Sequence, residues 1–364
     1  YIFDATYPSF GTMHSSSEVH MAASKSNSGT TAAFGNLFIE GTGVSLNFSG
    51  KPIIQKSMTI GPGASMQTIS GTTYGKFTMM SGATLTNYGT IIVINKAGLS
   101  CGSCTVPSTS GTPYYIFYYA DAVPQASFSS TSLVKYQSAS GTQNMQPFTY
   151  GNLEITNAIT TALITAAGGN TPGALTANNL ILPSTATFSL TGANLVTING
   201  GVTGSGNFLG SPSVNLTLGG TTDSLFFASN GKVIKNLVLN ANASVKLRSA
   251  LEVTAGVSPG SVTVNSGAIL YPNSFLELKS DSLGSARVAP SSGKILGRVR
   301  VERFIQSKRA WRFLSMPTRH ISGQSIRVAW MEGATSISSN PVPGFGRSEE
   351  HTSELQSRQY LVCR

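Results

Sequence analysis

Leu237-Val238-Leu239-Asn240-Ala241-Asn242-Ala243-Ser244-Val245 decides how this chain is read, because Val262-Thr263-Val264-Asn265-Ser266-Gly267-Ala268-Ile269-Leu270 repeats its pattern 25 residues later. Each stretch opens with apolar residues at alternate positions, the period of a short strand with one face turned inward. Three residues drawn mostly from Gly, Pro, Ser, Thr and Asn then turn the chain. A small Ala fits the crowded inner corner, and a second strand begins. The same unit occurs as Met58-Thr59-Ile60…Ala64-Ser65-Met66, as Phe77-Thr78-Met79…Ala83-Thr84-Leu85 and as Leu180-Ile181-Leu182…Ala186-Thr187-Phe188. Ala64 and Ala83 lie 19 residues apart, Ala243 and Ala268 25 apart. One such unit cannot bury its inward face alone, but stacked copies can. The expected fold is therefore all-β, a parallel β-solenoid of the β-helix kind with a partial β-rich C-terminal segment. The alternative is a string of β-sandwich domains of about 100 residues each; the close spacing favours the solenoid.

A longer repeat overlies the short one. Asp4-Ala5…Pro8 leads to Phe34-Gly35-Asn36-Leu37-Phe38-Ile39, and Asp121-Ala122…Pro124 leads to Tyr150-Gly151-Asn152-Leu153-Glu154-Ile155. Ile234-Lys235-Asn236-Leu237-Val238-Leu239 is a degenerate third entry. The organisation expected is a first repeat copy over 1–117, a second copy with the degenerate third over 118–283, and a basic β-rich segment opening a truncated domain over 284–346. A helical period is almost absent; the one candidate is a short turn around Gln324–Glu332.

Only 10% of the 364 residues are charged, against roughly 25% in ordinary soluble domains. Ser, Thr, Asn and Gly must then cover much of the surface, as in extracellular β proteins. Gly and Pro make up about 15% of the chain, short of the roughly 25–30% that marks low complexity, so the chain is expected to fold. The formal charge of +10 is uneven: residues 284–327 hold ten Lys and Arg against the single acid Glu302. No apolar run approaches the roughly 20 residues of a membrane-spanning helix. The chain opens on Tyr1 without a basic-then-apolar leader, which suggests a start inside a longer protein.

No constellation of reactive residues stands out. Polysaccharide-cleaving enzymes often use coiled β folds and need two facing carboxylates. Glu18, Glu40 and Glu154 sit in strand-like segments with polar neighbours and read as solvated face residues. His14, His20 and His320 form no ligand pair, and Cys101-Gly102-Ser103-Cys104 lacks the second pair that zinc would want. A local disulfide or inert thiols fit those cysteines best. The Gly-Gly pairs at Gly200 and Gly219 suit hairpins or coil corners. Tyr114-Tyr115-Ile116-Phe117-Tyr118-Tyr119 carries large rings on both faces, which reads as a strand buried on two sides or a domain junction, with sugar stacking as the alternative. In the Arg-rich stretch 298–312, Arg298, Arg300 and Glu302 alternate with Val299, Val301 and Arg303. That reads as the charged outer face of a strand rather than as a nucleic-acid or polyanion site. No catalytic, cofactor-binding or metal-ligating residue is assigned, and no cofactor is expected.

Two resemblances complete the reading. Arg347-Ser348-Glu349-Glu350-His351-Thr352-Ser353-Glu354-Leu355-Gln356-Ser357 breaks the preceding pattern and resembles the translation of a short-read sequencing adapter. Residues 347–364 are accordingly read as a non-native tail. Further upstream come Ala286-Arg287-Val288-Ala289-Pro290, Val301-Glu302-Arg303-Phe304-Ile305 and Arg309-Ala310-Trp311-Arg312-Phe313-Leu314. Ala329-Trp330-Met331-Glu332-Gly333-Ala334 and Asn340-Pro341…Pro343-Gly344-Phe345-Gly346 follow them. Together these resemble large secreted repeat proteins of environmental bacteria that end in a type IX secretion sorting domain. The resemblance implies export to the cell surface through a C-terminal domain missing from this chain. The function expected is a non-catalytic, adhesin-like stalk, with a polysaccharide-binding or polysaccharide-degrading module as the alternative. Extracellular glycans or other cell-surface components are the expected partners, without nucleic acid.

Overall fold

The computed structural model describes residues 2–3, 13–27, 32–48, 52–68, 77–102, 115–121, 124–138, 141–162, 174–191 and 195–304, with the strand segments 330–331 and 358–363. It is a parallel β-solenoid. Its sheets pair in parallel, as coils stacked in one direction must and as the antiparallel sheets of a sandwich do not. Among the described residues the only helix is the single 3₁₀ turn Ser229–Gly231. The turn read around Gln324–Glu332 lies mostly outside the described residues, and its described pair, Trp330–Met331, is a strand.

The chain forms two compact units, Tyr1–Leu209 and Gly210–Arg364. The second is the more regular, with three strands per coil and hence three faces. The first face stacks Asn215–Leu218, Asn236–Leu239, Ser261–Val264 and Arg287–Val288. The second stacks Thr221–Phe227, Ser244–Leu247, Ile269–Tyr271 and Lys294–Ile295. The third stacks Val233–Ile234, Leu251–Val253, Leu276–Leu278 and Val299–Phe304. Register keeps like above like: Leu237 pairs with Val262, Val245 with Leu270, and Leu251 with Leu276. All six are fully buried, so alternation at period two fills a continuous apolar core. Val299–Phe304 also pairs antiparallel with Arg358–Cys363, a departure from the parallel rule of the coils.

In the first unit one sheet runs Glu18–Met21, Ala33–Ile39, Ile53–Ile60, Phe77–Met79 and Tyr115–Tyr119, ending on Gly98–Gly102. A second runs through Ser45–Phe48, Ser65–Thr68, Thr90–Val93, Leu133–Tyr136, Thr149–Ile155, Leu175–Ile181 and Leu195–Thr203. A third begins at Thr142–Met145 and continues through Ile159–Ala162 and Thr187–Ser189 to Asn207–Leu209. Asn36 and Asn152, the matching entries of the longer repeat, thus lie in different sheets.

The five corner alanines sit at equivalent places. Each is at most 1% exposed. Each donates its N–H to the carbonyl three residues back: Ala64 to Gly61, Ala83 to Met80, Ala186 to Pro183, Ala243 to Asn240 and Ala268 to Asn265, at 2.9–3.1 Å. In four of these turns the residue before the alanine has positive φ, and Gly63, Gly82 and Gly267 take that position alongside Asn242. A left-handed third residue is what a type II turn requires. The alanine carbonyl then starts the next coil's ladder: Ala243 accepts from Ile269 N–H at 2.8 Å, and Ala268 from Lys294 N–H at 2.9 Å. Glycine follows where backbones come closest. A Cβ at Gly89 would stand 2.3 Å from the Ala64 carbonyl oxygen, inside any permissible contact.

Candidate functional surface

With the core side chains turned inward, whatever chemistry the column presents must come from outward positions, and many of these bond from coil to coil. On the first face of the second unit, Asn236 Nδ2 donates to Asn215 Oδ1 at 2.6 Å. Its own Oδ1 accepts from Ser261 N–H at 2.8 Å and from Ser261 Oγ at 3.0 Å. The first unit repeats the device, with Asn179 Nδ2 donating to Asn152 Oδ1 at 2.8 Å and Ser57 Oγ to Asn36 Oδ1 at 2.7 Å. The asparagine of each "GNL"-like entry is therefore a rung in a side-chain ladder. Sequence reading singled out the entries but missed this role, because the bonded partners lie 21 to 27 residues apart. Gly200 belongs to the same column and not to a corner. It lies inside Leu195–Thr203, where a Cβ would stand 2.1 Å from Asn179 Oδ1. Gly220, by contrast, does turn a corner, with φ 55°.

The third face of the second unit carries charge in matched rows. Lys232 pairs with Glu252 at 2.7 Å, and Arg300 with Glu277 at 3.3 Å. Lys279 bridges Glu277, at 3.0 Å, and Glu302. Glu302 departs from the simple alternation of its strand: it is 3% exposed and also accepts from Ser280 N–H at 3.2 Å. Burial lowers the Lys279 pKa, but the hydrogen bonds to Glu302 and Glu277 outweigh it and hold the ammonium above the ordinary lysine value. A glycosidase needs two facing carboxylates free to act on a sugar. Here Lys279 and Arg300 occupy them, so the arrangement is a salt-bridge ladder.

The remaining candidates fall into place around these ladders. Glu154 pairs with Lys135 at 2.8 Å. Glu18 and Glu40 are more exposed and flank His20, whose Nδ1 lies 3.0 Å from Glu40 and whose ring stacks on Phe38 at 4.6 Å. His14 contacts Ser16 Oγ at 2.6 Å, and His320 lies outside the described residues. Among the described residues no three His, Cys, Asp or Glu side chains are grouped to hold a metal ion, and no helix is long and apolar enough to cross a membrane. Cys101 lies within the strand Gly98–Gly102; Cys104 lies outside the described residues.

Of the aromatic island, Tyr114 lies outside the described residues and Tyr115–Tyr119 is a strand buried from Ile116 onward. Ile116, Phe117, Tyr118 and Tyr119 are all at most 2% exposed, and burial pushes the Tyr119 hydroxyl far above its usual pKa. Next to it the core turns polar. Gln146 Oε1 accepts from Leu99 N–H at 2.6 Å while its Nε2 donates to the Ala97 carbonyl at 2.9 Å. Gln143 Nε2 donates to the Val93 carbonyl at 2.6 Å. These two glutamines tie the backbone of Val93, Ala97 and Leu99 to the strand Thr142–Met145 and the residue after it. Comparison with protein-family models, with curated proteins and with solved structures finds no match for this chain.

Proposed function

We propose that the chain is a stretch of a non-catalytic, adhesin-like stalk belonging to a secreted bacterial cell-surface protein. One observation carries this reading: the outward asparagines and the third-face charges are committed to the neighbouring coil, as in Asn215–Asn236–Ser261 and Lys232–Glu252. Side chains bonded along a column stiffen it and leave few groups convergent on a substrate. The polar, weakly charged composition supports an extracellular setting, and the resemblance of residues 286–346 to exported repeat proteins supports type IX secretion through a domain beyond this chain. A test uses the whole protein on its source cells. Deleting the segment encoding 210–304 should abolish surface attachment, while the purified protein should release no reducing ends from a panel of polysaccharides. Release of reducing ends that disappears in a Glu277→Gln variant would establish the polysaccharide-degrading alternative instead.

A further inference from the structure

The three faces of the second unit differ in how their charges are balanced. The first carries an uncharged ladder of Asn215, Asn236 and Ser261, bordered by two cations, Lys235 and the exposed Arg287. On the third, cations meet carboxylates one coil away at 2.7–3.3 Å. The second face and the corner that leaves it hold Lys246, Arg248, Lys294 and Arg298 against Asp223 alone. Asp223 is taken by Lys246 at 2.7 Å, and Arg248 reaches its carbonyl. Lys294 and Arg298 are exposed and have no acidic partner among the described residues. Strand register places Ser244, Ile269 and Lys294 in one outward row, with Lys246 beside Tyr271 in the next. Lys246 Nζ lies 5.9 Å from the centre of the Tyr271 ring. With coils about 4.8 Å apart, the row from Ser244 to Lys294 spans roughly 10 Å.

We propose that this second face of the second unit, with its exit corner, is a docking strip for a carboxylated polysaccharide. The third face shows the complementary chemistry within the molecule: where the column supplies its own carboxylates, Lys and Arg take them at hydrogen-bond distance. The second face and its exit corner present cations of the same kind, Lys246 and Lys294 from strands and Arg248 and Arg298 from the corner, and an acidic glycan laid along the strip supplies the missing carboxylates. Guanidinium and ammonium donors recognise such groups by charge-assisted hydrogen bonds. Hydroxyls on Ser244 and Tyr271 add neutral sugar contacts. A single-stranded nucleic acid fits less well, since it would call for a run of exposed stacking rings where the strip offers one half-buried tyrosine.

This inference rests on the adhesin-like reading and names its partner, but it can fail alone. Affinity electrophoresis of the full chain would use polygalacturonate, neutral dextran, dextran sulfate (sulfated but without carboxylates) and single-stranded DNA as probes. Polygalacturonate should retard the wild-type protein, dextran should not, and retardation should weaken as salt shortens the Debye length. The triple variant Arg248→Ser/Lys294→Ser/Arg298→Ser should bind polygalacturonate roughly tenfold more weakly. A first-face control, Lys235→Ser/Arg287→Ser, should bind as wild type, and unchanged circular dichroism would show that both variants are folded. Absence of retardation by polygalacturonate, equal loss in the control, or tighter binding to dextran sulfate or DNA would each overturn the proposal. None of these results would touch the stalk reading, which stands or falls on surface attachment.

Discussion

At Ala268 a single methyl group decides whether two coils can close on each other. It is 1% exposed, its N–H closes the corner turn and its carbonyl opens the next coil's ladder. Ala268→Leu is expected to cost about 1–3 kcal/mol by overpacking, read as a lower urea midpoint with an unchanged slope. Asn236→Ala removes three hydrogen bonds between coils and should cost about 1–2 kcal/mol, measured the same way. These two residues mark what was legible in the sequence. The alanines were visible because each follows a local signal, two inward side chains and a turn. The ladder role of the asparagines was hidden because its bonds join residues distant in sequence, which no window of one strand can show.

At the scale of one strand, Val299–Phe304 shows why alternation alone misplaces a charged residue. Arg300 faces outward as expected, but Glu302 is drawn inward to Lys279 and Ser280 N–H. Lys279→Met would leave that carboxylate with little compensation. The expected cost is about 2–4 kcal/mol, short of a fully buried pair because Lys279 keeps 24% of its side chain in water. The pH dependence follows from the direction of the Lys279 shift. Its folded pKa is raised above the usual 10.5, so its contribution is complete below that value and is lost as pH climbs through the folded pKa. The difference in melting temperature between wild type and Lys279→Met should be flat from about pH 6 to 9 and shrink above about 10.5. A difference that instead grows under alkali would contradict the clamp. The aromatic strand Tyr115–Tyr119 was legible as two-sided because both sets of alternate positions were large. Its glutamine-stitched surroundings were not, since Gln143 and Gln146 carry no apolar signature of burial.

At the largest scale, coils stacked in parallel with a fixed register turn a weakly amphipathic sequence into an apolar core within each unit. The 19- to 25-residue spacing of the alanines pointed to that architecture. The division at Leu209 and the second unit's three-faced coils were not legible, because they depend on where corners fall rather than on composition. Disulfide trapping tests the register most directly, in a background with Cys101, Cys104 and Cys363 replaced by Ser. Val238 and Thr263 are direct parallel partners on the first face, at a separation that a disulfide can bridge. The account predicts rapid, nearly complete cross-linking of Val238→Cys/Thr263→Cys and little for the two-residue offset pair Val238→Cys/Ser261→Cys. Preferential cross-linking of the offset pair, or none in either, would contradict the parallel solenoid.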